Sequence, residues 1–367
     1  MDKFAFIIHP LEREDIFRKF KFMRRWPDFM VDALRFIPPI DVSRITGVEG
    51  DHGACEGMFV GCPLTATQIL ELPTDYVYKK IIDTGRLAEK KGAKIVGLGA
   101  MTSVVGDSGV TIAKNLNIAV TTGNSYTVGT ALEGTRKAAR LMGQDLSRAE
   151  VLILGATGSI GSVCARILAR DVRFLTLLAR NKARLERLAS VITSETGLVP
   201  VITRDVKQAV KRADIIVAVS GAAESLIQAE DLKPGAVVCD VARPRDVSKN
   251  VAQQRPDVLV IEGGVVEVPG DVNFNFNFGF PPKTSYACMA ETMILTLEGR
   301  FENYSLGKDL SVAQIDEICR LAKKHGFSLA GMRSFERAVT EEHITSVREA
   351  AEKARNREGK RAVSAGK

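Results

Sequence analysis

Residues 151–170, VLILGATGSIGSVCARILAR, decide the fold class of this chain. Residues 151–154 are all apolar, the pattern of a central parallel strand buried on both faces. Gly155, Gly158 and Gly161 follow, and apolar residues then recur at helical spacing. A turn this tight between strand and helix needs residues without a Cβ. Gly158 would let the backbone approach a pyrophosphate, and Gly161 would let the helix lie close to the strand. The free N–H groups of the helix start would then face the phosphates. The spacing is GxxGxxG rather than GxGxxG, but it stands in the strand–turn–helix context that the dinucleotide fingerprint requires. Gly155, Ala156, Thr157, Gly158, Ser159, Ile160 and Gly161 are therefore the expected cofactor cradle. The bland alternative is a glycine-rich turn without a ligand, which this context disfavours.

The next strand indicates which dinucleotide. An NAD site carries an acid about 20 residues on, which holds the ribose 2′-hydroxyl. Here that strand runs into LTLLARNKARLERL, residues 175–188, with Arg180 and Asn181 at its tip and no acid there. A guanidinium pairs well with a 2′-phosphate, so NADPH is expected over NADH. Further on, Ser220 and Gly221 in IIVAVSGAAES, and Gly263 and Gly264 in VIEGGVVEVPGD, fall at strand ends. Ligands of an open α/β sheet sit outside the carboxyl ends of its strands, so these four join the candidate cofactor residues. Ordinary turn glycines explain them equally well.

Outward from this unit the pattern alternates. Strands are expected at residues 3–8, 56–60, 94–99, 118–121, 173–178, 199–203, 214–219, 236–240 and 258–261, and helices at 76–91, 127–142, 182–195 and 206–212. Residues 12–35 show helical spacing interrupted by Pro27, and residues 281–340 read as mostly helical. The fold class is α/β. The expected organisation is a smaller N-terminal α/β substrate domain over residues 1–126 and a Rossmann-type doubly wound parallel sheet over 127–280. C-terminal helices over 281–345 pack back to complete the active site, and a basic tail over 346–367 reads as a frayed polar helix or a disordered end.

The 367 residues suggest two domains, and the 45% hydrophobic and 26% charged content is ordinary for a globular protein. The net charge of +7 comes partly from the tail and partly from a denser segment at Lys19, Lys21, Arg24 and Arg25. A basic surface suits an acidic partner, although solvated faces account for it as well. Charges close to the N-terminus argue against a signal peptide, and no apolar run reaches a membrane span. The six cysteines, at 55, 62, 164, 239, 288 and 319, form neither a CxxC pair nor a zinc pattern, which points to a reducing, cytoplasmic setting.

Among these cysteines, Cys288 stands out in PPKTSYACMAETMILTLEG, residues 281–299. Thr284 or Ser285 is the expected N-cap, which puts Cys288 near the first helical turn. The helix dipole and Lys283 would favour its thiolate, which can accept an acyl group by thioester exchange. A buried, inert cysteine among apolar neighbours is the competing reading. Cys164, Cys239 and Cys319 fall on expected core faces, and Cys55 and Cys62 are left undecided.

The chain resembles the long-chain acyl-[acyl-carrier-protein] reductases. The resemblance rests on GLGAMTSVVG at 97–106, TTGNSYTVG at 121–129, GATGSIGS at 155–162, LLARN at 177–181, EGGVVE at 262–267, YACMAETMILTLEG at 286–299 and HGF at 325–327, which run in family order. It implies NADPH-dependent reduction of a fatty acyl thioester, on a carrier protein or coenzyme A, to a fatty aldehyde. It also implies that the nucleophile in the motif matched by YACMAE is Cys288. An acidic acyl carrier protein would suit the basic surface. Asn124 and Tyr126 are expected to stabilise the oxyanion. Tyr126 stands where the family carries His, and its hydroxyl can still donate. The acyl chain needs an apolar channel, for which Phe274, Phe276, Phe278 and Phe280 are candidates; a core strand explains their alternation equally well. The first sixty residues match weakly, and the tail is longer than in the family.

Two rivals remain at this level. A shikimate-type dehydrogenase shares the domain order, but its chemistry wants a Lys–Asp pair in the first domain, and the stretch around Thr102 and Ser103 has no such Lys. The other is a non-catalytic NADP-binding sensor or carrier-protein scaffold.

Overall fold

The structure, a computed structural model, describes every residue except 12–14, 18–20, 22–23, 25–31, 221, 223–224, 243–244, 336 and 366–367, and the side chains of 249 and 358–365 also lie outside it. Most of the helix expected over 12–35, the basic residues Lys19 and Arg25, and the tail charges Lys360, Arg361 and Lys367 thus fall outside the described residues. The chain divides into two compact units: residues 1–127 with 266–330, and residues 128–265 with 331–367.

The first unit opens with β1 (Asp2–Ile8), β2 (Ile40–Gly50) and β3 (Gly53–Gly61), then α1 (Ala66–Glu71), α2 (Thr74–Lys90), β4 (Ile95–Leu98), α3 (Val110–Lys114) and β5 (Ala119–Thr121). The helix α4 (Asn124–Leu141) follows. The sheet order is β2-β3-β1-β4-β5, with β2 antiparallel at the edge and the other four strands parallel. Strand β2 was not expected from the sequence. Irregularities at Asp41/Ser43 and Ile45/Val48 break the alternation that would have marked it. Alternation along the inner strands divides the core. Ala5, Ile7, Val60, Val96 and Leu98 face Val77 and Ile81 of α2, while Phe4, Phe6, Phe59 and Ile95 belong to a second apolar layer on the opposite face.

The second unit contains β6 (Glu150–Leu154), α5 (Ser159–Leu168), β7 (Phe174–Leu178), α6 (Lys182–Thr196), β8 (Val201–Thr203), α7 (Val206–Arg212), β9 (Ile215–Ala218), β10 (Val237–Asp240), α8 (Lys249–Gln254) and β11 (Leu259–Glu262). Their order, β8-β7-β6-β9-β10-β11, is that of the doubly wound dinucleotide-binding sheet, all parallel.

The chain then returns to the first unit through β12 (Val265–Glu267), β13 (Thr284–Tyr286), α9 (Ala287–Leu297), α10 (Val312–Lys324) and β14 (Ser328–Leu329). It ends in the second unit with β15 (Arg333–Ser334), β16 (Arg337–Ala338) and α11 (Glu341–Ala365). Two points of this organisation differ from expectation. Residues 266–280 leave the nucleotide unit, because β12 pairs with β13 and β14 in a small sheet of the first unit. With 266–330 added, the first unit is the larger of the two. The tail takes the helical of its two expected forms over its described part: Val347 and Ala351 are buried, and Arg355 donates to the Pro234 carbonyl at 3.1 Å. Among the described residues no helix is long and apolar enough to cross a membrane.

Helix α9 supplies much of the second layer through Ala290, Met293 and Ile294. It crosses β4 where Gly97 leaves room, since a Cβ there would sit 2.5 Å from the Phe6 ring and overlap Thr292. Its C-terminal Leu297 carbonyl lies near Gly53, at the start of β3. The helix therefore runs against the parallel strands, and its N-terminus lies at their carboxyl ends. The irregular segment 272–280 adds aromatic rings beside this layer. Phe59 stacks on Phe274 at 6.0 Å, and Phe278, Phe280 and Tyr286 continue the series. The core-strand explanation for Phe274–Phe280 does not hold, because the segment forms only one isolated bridge, Asn273 to Thr46.

Just beyond β1, His9 braces the same end of the sheet. Its Nε2 accepts the Met101 N–H at 3.0 Å, so its Nδ1 carries the proton and donates to the Pro10 carbonyl at 3.0 Å. Burial lowers its pKa from 6.5 to about 4, against the Pro10 hydrogen bond that favours protonation. Between these values the unfolded chain binds a proton that the native chain refuses. Stability should therefore fall as pH drops through this window, by at most about 1.4 kcal/mol per pH unit. Urea denaturation at pH 7, 5.5 and 4.5 is expected to show this slope, flattened in His9→Gln, and equal slopes in the two proteins would refute the assignment.

Candidate functional site

In the second unit the glycine turn forms a compact cradle. The Gly155 and Ala156 N–H groups both donate to the Leu178 carbonyl, at 2.9 and 3.0 Å, so the turn is tied to the end of β7. Gly155 has φ +88°, and a Cβ there would lie 2.7 Å from Ser220 Cα. At Gly161 a Cβ would overlap the Gly155 carbonyl, which is why α5 can begin so close to the strand. Gly158, the N-cap of α5, is exposed; a Cβ there would meet only the Gly155 oxygen, at 3.4 Å. No side chain caps this helix. An exposed, uncapped start of a ten-residue helix behind a turn bounded by Gly155 and Gly158 fits the pyrophosphate of a dinucleotide.

The other cofactor candidates separate. Arg180 is exposed just beyond β7. Asn181 is a helix cap: its side chain accepts the Arg184 N–H at 3.0 Å. Ser220 follows β9, and Asp246 holds both its N–H, at 2.8 Å, and its hydroxyl. Burial pushes the Asp246 carboxyl up, opposed by these Ser220 bonds. Gly263 has a packing reason, since a Cβ there would sit 2.9 Å from Ala131 Cβ, and Gly264 has φ +89°. Gly221 lies outside the described residues.

The first unit holds the thiol. Cys288 is the second residue of α9 and is partly exposed. The N-cap is Tyr286, not Thr284 or Ser285, which lie in β13. The Lys283 ammonium pairs with Asp271 at 3.3 Å. Gly123, with φ +74°, lies directly against Cys288: a Cβ there would overlap Cys288 Cα and Cβ and sit 2.7 Å from its carbonyl oxygen. Asn124 starts α4 one residue later and is buried, next in the chain to the glycine that packs on Cys288 at the carboxyl end of β5. Tyr126 is buried in the apolar layer beside α9, and its N–H donates to Glu291 at 2.7 Å.

Burial sorts the remaining thiols. Cys55 is pushed up to about 12 by burial and nearby acids, Cys62 to about 11 by burial, and Cys164 upward by burial. Cys239 is sealed as well. Cys319, expected in the core, is partly exposed but lies in the middle of α10. Of the two accessible thiols, Cys288 alone lies at a helix start, where the dipole favours an anion.

The sequence reading missed the polar cluster behind this site. Glu291, Thr121, Ser125 and Ser305 are all buried. Thr121 and Ser305 donate to Glu291 Oε1 at 2.5 and 2.7 Å. Burial pushes the Glu291 carboxyl up, and bonds from Thr121, Tyr126, Ser305 and Gly123 oppose that push. The available signal was a lone acid in the apolar run ACMAETMILTL.

Strand order and cradle define the second unit as the nucleotide-binding fold of NAD(P)-dependent oxidoreductases. In agreement, the shikimate/quinate 5-dehydrogenase family matches residues 136–262, which lie within that unit. Two relatives extend well beyond it. One is aminotransferase PigE of a Serratia species, 30% identical over 85% of this chain; the chain spans only 36% of that protein. The other is the long-chain acyl-[acyl-carrier-protein] reductase of Synechococcus elongatus, 27% identical over 79% of this chain and 87% of the reductase. Among solved structures, quinate dehydrogenase of Corynebacterium glutamicum in complex with NAD is 11% identical over 87% of this chain and 98% of its own, with a TM-score of 0.37.

The Gly123–Cys288 contact can be tested directly. Gly123→Ala should destabilise the protein by about 1–3 kcal/mol, through overlap and left-handed strain, and change the rate at which iodoacetamide alkylates Cys288. Unchanged stability and rate in denaturation and mass-spectrometric assays would mean that the contact is slack.

Proposed function

We propose that this protein is an NADPH-dependent reductase that converts a fatty acyl thioester, carried on an acyl carrier protein or coenzyme A, to a fatty aldehyde through an acyl-enzyme on Cys288. The observation that carries the reading is the accessible thiol in the first turn of α9, packed against Gly123. The Synechococcus reductase, similar over most of both chains, supports the substrate class. A reducing, cytoplasmic setting suits six free cysteines.

In this mechanism the Cys288 thiolate attacks the thioester carbonyl. A new C–S bond forms, the old one breaks, and the carrier thiol leaves with a proton. Donors in the Asn124–Tyr126 segment steady the oxyanion. A nicotinamide, when bound, supplies the hydride. The acyl–Cys288 bond then breaks, the aldehyde departs and the sulfur regains a proton. Residues 155–161 would hold the pyrophosphate, and Arg180, exposed beyond β7, would pair with the 2′-phosphate.

A shikimate-type dehydrogenase is the second reading, favoured by the family match over 136–262. That match bears on the nucleotide unit, not on the unit that contains Cys288. The first unit lacks a Lys around Thr102 and Ser103 for proton transfer at a hydroxyl.

Incubation with an acyl thioester without NADPH should leave an acyl adduct on Cys288, detectable by mass spectrometry. Cys288→Ala should abolish aldehyde formation and leave NADPH binding intact; full activity in that variant would mean hydride attack on the bound thioester itself. Arg180→Ala should raise the KM for NADPH about tenfold, roughly the 1.4 kcal/mol of one charge-assisted bond, with little change for NADH. Equal effects on the two cofactors would remove Arg180 from the 2′-phosphate.

A further inference from the structure

Glu291 is fully buried and lies three residues beyond Cys288 on α9, about one helical turn away. Its carboxylate gathers three separate pieces of chain. From the end of β5 it takes the Thr121 hydroxyl at 2.5 Å, and from the start of α4 the Tyr126 N–H at 2.7 Å. From the segment 303–305 it takes the Ser305 hydroxyl at 2.7 Å. The third piece is α9 itself, which carries the carboxylate.

The 303–305 segment is itself tied to the same edge. The Asn303 side chain accepts the Val120 N–H at 2.9 Å, and the Tyr304 N–H donates to the Val120 carbonyl at 3.0 Å. The Ser305 hydroxyl also accepts the Ser125 N–H at 3.2 Å, and its carbonyl accepts the Thr122 hydroxyl at 2.5 Å. Ser305 holds φ +54°, a left-handed conformation that a residue with a Cβ keeps only when its surroundings impose it. Core packing alone would be served better by an apolar side chain, because a buried carboxylate carries a desolvation cost. Both Glu291 oxygens face donors, so a neutral amide of equal size would turn an N–H2 toward at least one of them.

We infer that Glu291 is a positioning residue: its carboxylate clamps the Gly123–Tyr126 segment to the helix that carries Cys288, setting where the oxyanion donors stand relative to the sulfur. This rests on the reading of Cys288 as the acyl-accepting thiol. Glu291 touches neither acyl group nor cofactor in this role and acts through Gly123–Tyr126.

The test compares the full-length wild type with Glu291→Gln and Glu291→Asp, using palmitoyl-coenzyme A as the acyl probe, iodoacetamide as a substrate-independent probe of the thiol, and amide hydrogen exchange. In Glu291→Gln, acyl transfer to Cys288 should slow by about 10²-fold, the effect of misplacing a catalytic group by roughly 1 Å. Alkylation should stay within about twofold of wild type, since the helix start is intact. Exchange should quicken at Gly123–Tyr126 but not along α9, and Glu291→Asp should recover part of the acyl transfer. A purely structural role would lower alkylation and acyl transfer together, and that result overturns the proposal. So does unchanged exchange at Gly123–Tyr126 in Glu291→Gln, which reads the clamp whether or not the thiol takes an acyl group. Absence of an adduct on wild-type Cys288 is a separate result, which removes the acyl-enzyme reading of Cys288 rather than the clamp.

Discussion

Close backbone approach at the carboxyl ends of parallel strands is the constraint on which the rest of this protein depends. In the first unit, α9 can bring Cys288 to the end of β5 only because Gly123 offers no Cβ. In the second, α5 can begin at the glycine turn only because Gly161 lies against the Gly155 carbonyl. The two units thus use one device for different ends. One places a thiol at a helix start, and the other leaves a helix start open. Each of these helix starts carries the partial positive charge of the helix dipole.

Such approach leaves polar groups that must be satisfied away from water. The segment between β5 and α4 turns sharply, and its N–H and hydroxyl groups have little access to solvent. Glu291, with Ser305 and Asn303, supplies partners to N–H groups on either side of that turn. A single side chain from an otherwise apolar helix therefore serves hydrogen bonds on two other chain segments. Asp246 does the same for Ser220 beside the glycine turn. In each unit a buried acid stands behind the loop at the strand ends, where low polarity strengthens every bond it makes.

Burial also sorts the chemistry. Three of the thiols have their pKa values raised by desolvation, which keeps them protonated and unreactive near neutral pH. His9 is treated the same way in the opposite sense: its ring is kept neutral and used as a brace for the Met101 N–H rather than as a proton carrier. The apolar layer that holds Cys55 continues into the aromatic series from Phe59 to Tyr286, two residues before Cys288.

What the sequence by itself determined was local and periodic. The alternation of strand and helix, the apolar strand at 151–154, the glycines after it and the absence of an acid at the tip of the next strand are all readable because each follows from neighbours a few residues apart. Cys288 was legible for the same reason, as a thiol near a helix start. Tertiary structure decided the rest. It added β2, whose bulges hide its alternation, moved 266–280 from the nucleotide unit to the first unit through pairing of β12 with β14, and made Asn181 a helix cap. It also brought Thr121, Tyr126 and Ser305 onto Glu291. These contacts join residues more than a hundred positions apart as well as close neighbours. Hydrogen bonding and desolvation depend on who is adjacent in space, and one-dimensional patterning carries no record of that.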